Sequence, residues 1–136
     1  MSRRKVREVI LQTIFQLAFQ QEGFEEYALN YLDNQPLSKE DREFSKNFIV
    51  GFLKEVEIID KKIAENLKGW TLERLSKIDL AILRLACYEI IFLEDIPKNV
   101  SINEGIELAK KYSDDESRKF INGLLDSISQ DINKEN

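Results

Sequence analysis

The sequence predicts a compact all-α protein, a bundle of about seven helices. Apolar residues recur in rows of 3.6-residue period along most of the chain, with capping and stop residues at their ends. No run carries a strand signal of weight, and there is no internal repeat. At 136 residues, 43% hydrophobic and 33% charged, residues 1–136 are expected to form one domain that buries a core without metals or disulfides.

The first helix is marked by Val6, Val9, Ile10, Thr13, Ile14 and Leu17, with Leu11, Phe15 and Ala18 widening the apolar face. Only Lys5, Glu8, Gln12, Gln16 and Gln20 form a clean polar side, so this helix is central to the core or carries a protein-binding face. Gly23 is expected to end it. A second helix covers Glu25 to Leu32 and stops at Asp33-Asn34-Gln35-Pro36. Ser38 caps a third, with Phe44, Phe48, Ile49 and Phe52 on one side. A fourth begins near Glu57, turns Ile58, Ile59, Ile63 and Leu67 inward, and has Gly69 where a C-terminal glycine belongs.

Thr71 caps a short turn leading into a long helix from Ile78 to Leu93. After Pro97, the run Ser101-Ile102-Asn103-Glu104 reads as a capping box opening a helix to about Tyr112. Ser113-Asp114-Asp115-Glu116 repeats the pattern for a last helix carrying Phe120, Ile121, Leu124, Leu125 and Ile128. The polar tail, 131–136, is expected to fray.

Composition excludes much chemistry. With no histidine and a single cysteine, zinc fingers, histidine metal sites and histidine-based triads are ruled out. No acidic pair stands in an acid/base context, and the five glycines form neither a phosphate loop nor a dinucleotide fingerprint. No catalytic residue, metal or cofactor is expected. Cys87 alone builds no disulfide framework, which points to a reducing cytoplasm, and its apolar neighbours make it a core side chain. The stretch Leu80 to Leu93 is too short, and too charged at Arg84 and Glu89, to span a bilayer. Glu8, Gln12 and Gln16 break any signal-peptide pattern at the start.

Charge is where the chain becomes informative. The formal net charge is −5, yet Arg3, Arg4, Lys5 and Arg7 crowd the first seven positions. Arg7 shares a helix face with Arg3 or Arg4. Cations at a helix start oppose the macrodipole, which favours Asp or Glu there. A solvated helix start is the plain reading of such a cluster. A sequence that accepts the electrostatic cost at several positions is better explained by an anion, and guanidinium forks suit the phosphates and bases of RNA.

Trp70, Tyr112 and Phe120 are candidate platforms for single-stranded bases, with a core role as the competing reading for each. Asn122-Gly123 lies inside the last helix, where glycine costs about 1 kcal/mol relative to alanine. Close helix packing explains it blandly. Backbone access for a ligand, with Asn122 reading a base edge, explains it more sharply. Arg84 is five residues from both Asp79 and Glu89, so a helical pair with either is excluded and a tertiary ion pair is its plain role.

Taken together, these segments resemble the NusB family of transcription antitermination factors. The likeness rests on Arg3-Arg4-Lys5-Val6-Arg7-Glu8 with Gln12 and Phe15, on Asp79 to Glu89 followed by Asp95-Ile96-Pro97, on Ile102 to Lys110, and on Phe120 to Asp126. These segments fall in the family's order and spacing. The resemblance implies a non-enzymatic protein that pairs with the ribosomal protein NusE. The pair would bind boxA-type single-stranded RNA and help load an antitermination complex on RNA polymerase, chiefly at ribosomal RNA operons. By the same resemblance Arg3, Arg4, Lys5 and Arg7 form the RNA-binding segment. Gln12, Trp70, Arg84, Tyr112 and Phe120 lie on or near RNA-contact positions, and Phe15 and Asp79 face the protein partner. Lys5 stands where arginine is usual, Phe15 and Trp70 where tyrosine is common, and Gly105 where alanine is common.

Two alternatives stand beside this reading. One is a NusB-like domain of the kind found at the N-terminus of some RNA methyltransferases, against which the missing cofactor loop speaks. The other is a helical interaction scaffold, a possible homodimer through the Phe15 surface, which leaves the basic cluster unexplained.

Overall fold

The computed structural model describes residues 3–69 and 71–135. Among these the chain forms six α-helices: α1 (Arg3–Phe15), α2 (Phe24–Asp33), α3 (Lys39–Asn66), α4 (Lys77–Phe92), α5 (Lys98–Tyr112) and α6 (Asp115–Glu135). Short 3-10 turns at Gln16–Ala18 and Leu72–Arg74 complete the helical inventory, and no described residue is in a strand. The all-α expectation holds, with a helix count close to the seven read from sequence. Two compact units are distinguished, Met1–Glu55 and Val56–Asn136, with the boundary inside α3.

In the first unit, α1 buries Val6, Ile10, Leu11, Thr13 and Ile14, the row expected from their spacing. It stops earlier than the sequence suggests: after Phe15 the chain tightens into the 3-10 turn. Gly23 does not end α1. It precedes α2 with φ 69°, a left-handed backbone that glycine adopts without steric cost. Glu25 and Glu26 in the first turn of α2 complement its dipole. The guanidinium of Arg42 donates to the carbonyl of Gln35 at 2.8 Å and to that of Leu32 at 3.4 Å, satisfying carbonyls where α2 ends. Ser38 caps α3 as expected, its Oγ accepting the Asp41 N–H at 3.1 Å.

The expected third and fourth helices are one. Glu55-Val56-Glu57 contains neither proline nor glycine, so nothing interrupts the ladder and α3 runs for 28 residues. Within the second unit its last turns bury Ile59, Ile63 and Leu67. Gly69 follows with φ 79°, the left-handed position expected beyond a helix end.

Helix α4 is the most buried element of the second unit: Ala81, Ile82, Leu83, Leu85, Ala86 and Cys87 are almost fully enclosed. It packs on α5 and α6, which also pack on each other. Gly105 of α5 is packed against both neighbours: a Cβ there would lie 3.1 Å from Leu125 Cδ1 and 3.6 Å from the Cβ of Ala86. Ser76 caps α4 through the Asp79 N–H at 3.1 Å.

Both capping boxes read from the sequence need correction. Helix α5 starts at Lys98 behind Pro97, a turn earlier than expected, so Ser101 is already inside it. There Ser101 is buried and donates its hydroxyl to Glu89 Oε1 at 2.8 Å, satisfying a carboxylate that is itself 2% exposed. At α6 the cap is Asp114, not Ser113: its Oδ1 accepts the Ser117 N–H at 2.8 Å. That backbone hydrogen bond holds the Asp114 carboxyl below the ordinary range. The tail expected to fray is helical through Glu135, and Lys98 Nζ donates to Asn133 Oδ1.

Candidate nucleic-acid and partner interface

At the start of α1, Arg3, Arg4 and Lys5 are exposed, whereas Arg7 is only 6% exposed. The difference follows from helical geometry, since Arg7 follows buried Val6 and precedes buried Ile10 on the inward side. The Arg3 guanidinium lies 3.9 Å from the centroid of the Phe44 ring. Such a cation–π contact is worth about 0.5–1 kcal/mol at an exposed site and restrains the side chain while leaving its charge in solvent. Lys5 stands 4.0 Å from Glu8. Gln12 is exposed one face away and accepts a long 3.4 Å hydrogen bond from the Tyr31 hydroxyl. Phe15, the last residue of α1, meets Phe19 edge-on with centroids 5.1 Å apart, and Phe19 is 58% exposed.

The remaining sequence-predicted site residues belong to the second unit. Arg84 is tied to Asp60 by a two-pronged salt bridge at 2.9 and 2.8 Å, the tertiary ion pair that its spacing pointed to. Tyr112 closes α5 half-buried, with the Lys111 ammonium 5.7 Å from its ring centroid. Phe120 is 36% exposed on the first turns of α6 and Asn122 is exposed. Trp70 lies outside the described residues.

Phe120 stands between two grooves. One, of about 310 Å³, is bounded by Arg74, Ser76, Asp79, Glu116 and Ser117. The other, of about 380 Å³, has Asn66, Lys68, Lys119, Gly123 and Ser127 in its walls. Sequence reading missed Lys68 and Lys119. Lys119 directly precedes Phe120, and that cation–aromatic pair was the available signal. Lys68, two residues before Trp70, carried a similar signal, but its place beside α6 is set by the fold.

Asp79, expected at the partner surface, is 6% exposed. Its Oδ1 accepts the Ser113 hydroxyl at 2.8 Å and its Oδ2 the Ser117 hydroxyl at 2.8 Å. One carboxylate thus joins the start of α4 to the turn between α5 and α6, and fixes the helix that carries Phe120. Cys87 is fully buried, and burial pushes its thiol well above the ordinary value, with Asp60 adding to the effect. No group of three or more acidic or cysteine residues suited to a metal occurs among the described residues. No described helix is long and apolar enough to cross a membrane.

Fold and surface together define a small helical protein with an exposed cationic helix start in its first unit and, in its second, a partly exposed phenylalanine between two grooves. Comparisons place it more closely. The profile of the NusB family matches residues 4–130. The transcription antitermination protein NusB of Clostridium novyi is 48% identical over 130 residues, covering 94% of this chain and 98% of its own. That of Bacillus thuringiensis is 44% identical over 133 residues, covering 97% and 100%. Among solved structures, T. maritima NusB superposes with a TM-score of 0.87 at 37% identity, over 96% of this chain and 92% of its own. A crystal structure of the antitermination factors NusB and NusE in complex with double-stranded RNA gives a TM-score of 0.83 at 25% identity, over 94% and 96%. The chain belongs to the NusB family.

Proposed function

We propose that this protein is a transcription antitermination factor that binds boxA-type single-stranded RNA together with the ribosomal protein NusE. It helps load an antitermination complex on RNA polymerase, chiefly at ribosomal RNA operons. It works in the cytoplasm, without a cofactor and without catalysing a reaction. The observation that carries this reading is the similarity, over 94% of the chain, to the NusB seen with NusE and double-stranded RNA. The exposed cations of α1 supply the matching chemistry on a body of net charge −5. Phosphates are drawn to local cationic patches, the helix start above all, on a body whose net charge opposes them, so binding is weak until a second protein adds contacts. The Phe15–Phe19 pair offers an apolar surface for that protein, or for a second copy of this chain.

Arg4 and Lys5 are the residues to reverse, because both are exposed, whereas Arg7 is buried and its reversal would disturb the fold. Arg4→Glu combined with Lys5→Glu is expected to abolish binding of a boxA-type RNA, read by anisotropy in the presence of NusE, while the helical CD signal is unchanged. Binding as tight as the parent's would remove the cluster from the interface.

A further inference from the structure

Gly123 sits in the middle of α6, where glycine is the poorest helix former after proline. Close packing, the bland reason for such a residue, does not apply. A Cβ built on Gly123 meets no atom of the described residues within 4 Å. Gly105 shows the contrast, since its missing Cβ makes room for Leu125 and Ala86. Its φ is not in the left-handed region either, because Gly23 and Gly69 are the described glycines with positive φ. Neither packing against the described residues nor backbone conformation therefore requires glycine at 123.

The surroundings indicate what does. Gly123 lines the groove of about 380 Å³ that Lys68 and Lys119 flank with positive charge and Phe120 borders with a partly exposed ring. Both lysines are exposed, and Asn66 and Ser127 add polar groups to the walls. Two cations, an aromatic face and a strip of helix without a side chain suit an anionic strand that stacks one base and lays its backbone against the helix. A Cβ would occupy the space through which that strand approaches.

We infer that Gly123 is kept as glycine to let the sugar–phosphate backbone of bound RNA pass in van der Waals contact with α6 between Lys68 and Lys119. This rests on the RNA-binding reading above and adds to it a residue that acts by what it lacks. In the free protein the glycine is a loss of helix stability that bound RNA makes useful.

The test uses the full chain with Gly123→Ala and Gly123→Leu. Alanine and leucine are similar helix formers, so both variants are expected to melt about 3–5 °C above the parent. They differ in bulk. In anisotropy titrations of a boxA-type RNA with NusE present, Gly123→Ala is expected to bind about tenfold more weakly than the parent, and Gly123→Leu about a hundredfold. Equal losses for the two variants would mean that helix stiffness, not approach, is the cause, and would overturn the inference. Unchanged RNA affinity in a thermally stabilised Gly123→Leu variant would overturn it as well. Failure of the parent itself to bind the RNA would instead strike the functional reading.

Discussion

Asp79→Ala tests whether one carboxylate organises the second unit. The substitution removes the acceptor of the Ser113 and Ser117 hydroxyls, each bonded at 2.8 Å to a group only 6% exposed. Hydrogen bonds to a charged acceptor contribute about 1.5–3 kcal/mol each. The two serines are half-buried, so water recovers part of that when the carboxylate is gone. Asp79 also lies in the first turn of α4, where a negative charge adds about 0.3–1 kcal/mol against the helix dipole. The expected net cost is about 2–4 kcal/mol, a large share of the 5–15 kcal/mol typical of a domain. Urea unfolding followed by CD measures it as a lower midpoint with an unchanged slope. Ser113→Ala and Ser117→Ala should each cost less, and each should be nearly silent in the Asp79→Ala background. A loss below about 0.5 kcal/mol for Asp79→Ala, the size of an ordinary surface change, would refute the clamp. On the proposed function, NusE binding separates a clamp from a direct contact. If the Ser113→Ala, Ser117→Ala double variant weakens it as much as Asp79→Ala does, Asp79 acts by holding the turn.

Arg84→Ala breaks the salt bridge to Asp60, whose side chains are 12% and 24% exposed; it should lower stability by about 1–3 kcal/mol. The same variant should change RNA affinity less than about twofold in the anisotropy assay, because its guanidinium already serves Asp60. Cys87 gives a pH dependence. Its buried thiol stays protonated in the folded protein well above the ordinary value of 9.0, whereas the unfolded chain ionises there. The stability this provides is complete below pH 9 and declines as pH rises beyond it, by about 1.4 kcal/mol per unit. Cys87→Ala should lack that component, so the gap between the two urea midpoints should change from pH 8 to pH 10. A constant gap would contradict the burial.

Much of the fold was legible because local signals agreed with packing. The row Val6, Ile10, Ile14 is buried as its period implied, and Ser38 caps α3 through the Asp41 N–H. Errors arose where a local pattern had a second meaning. Ser101 and Ser113 look like caps, but Pro97 and Asp114 occupy the helix starts. The two serines instead serve Glu89 and Asp79, 12 and 34 residues away, a distance at which sequence pattern carries no pairing information. Gly23 was visible as a breaker, yet its left-handed backbone serves the start of α2 rather than the end of α1. At the candidate site the basic cluster was plain in the sequence. That Arg7 turns inward while Arg4 and Lys5 stay out follows from helical phase, which four adjacent cations do not reveal. The groove at Gly123 depends on Lys68, brought to α6 only by the fold.

The central claim is that an exposed cationic helix start on an acidic body binds RNA effectively only with a second protein. The most direct measurement is the affinity of a boxA-type RNA for this protein alone and with NusE, across a range of salt concentrations. The account predicts a large gain with NusE. It also predicts a log–log salt slope of at least about −2, from the three exposed cations of α1 at about 0.7 each. Equal affinity with and without NusE, or binding that ignores salt, would contradict it.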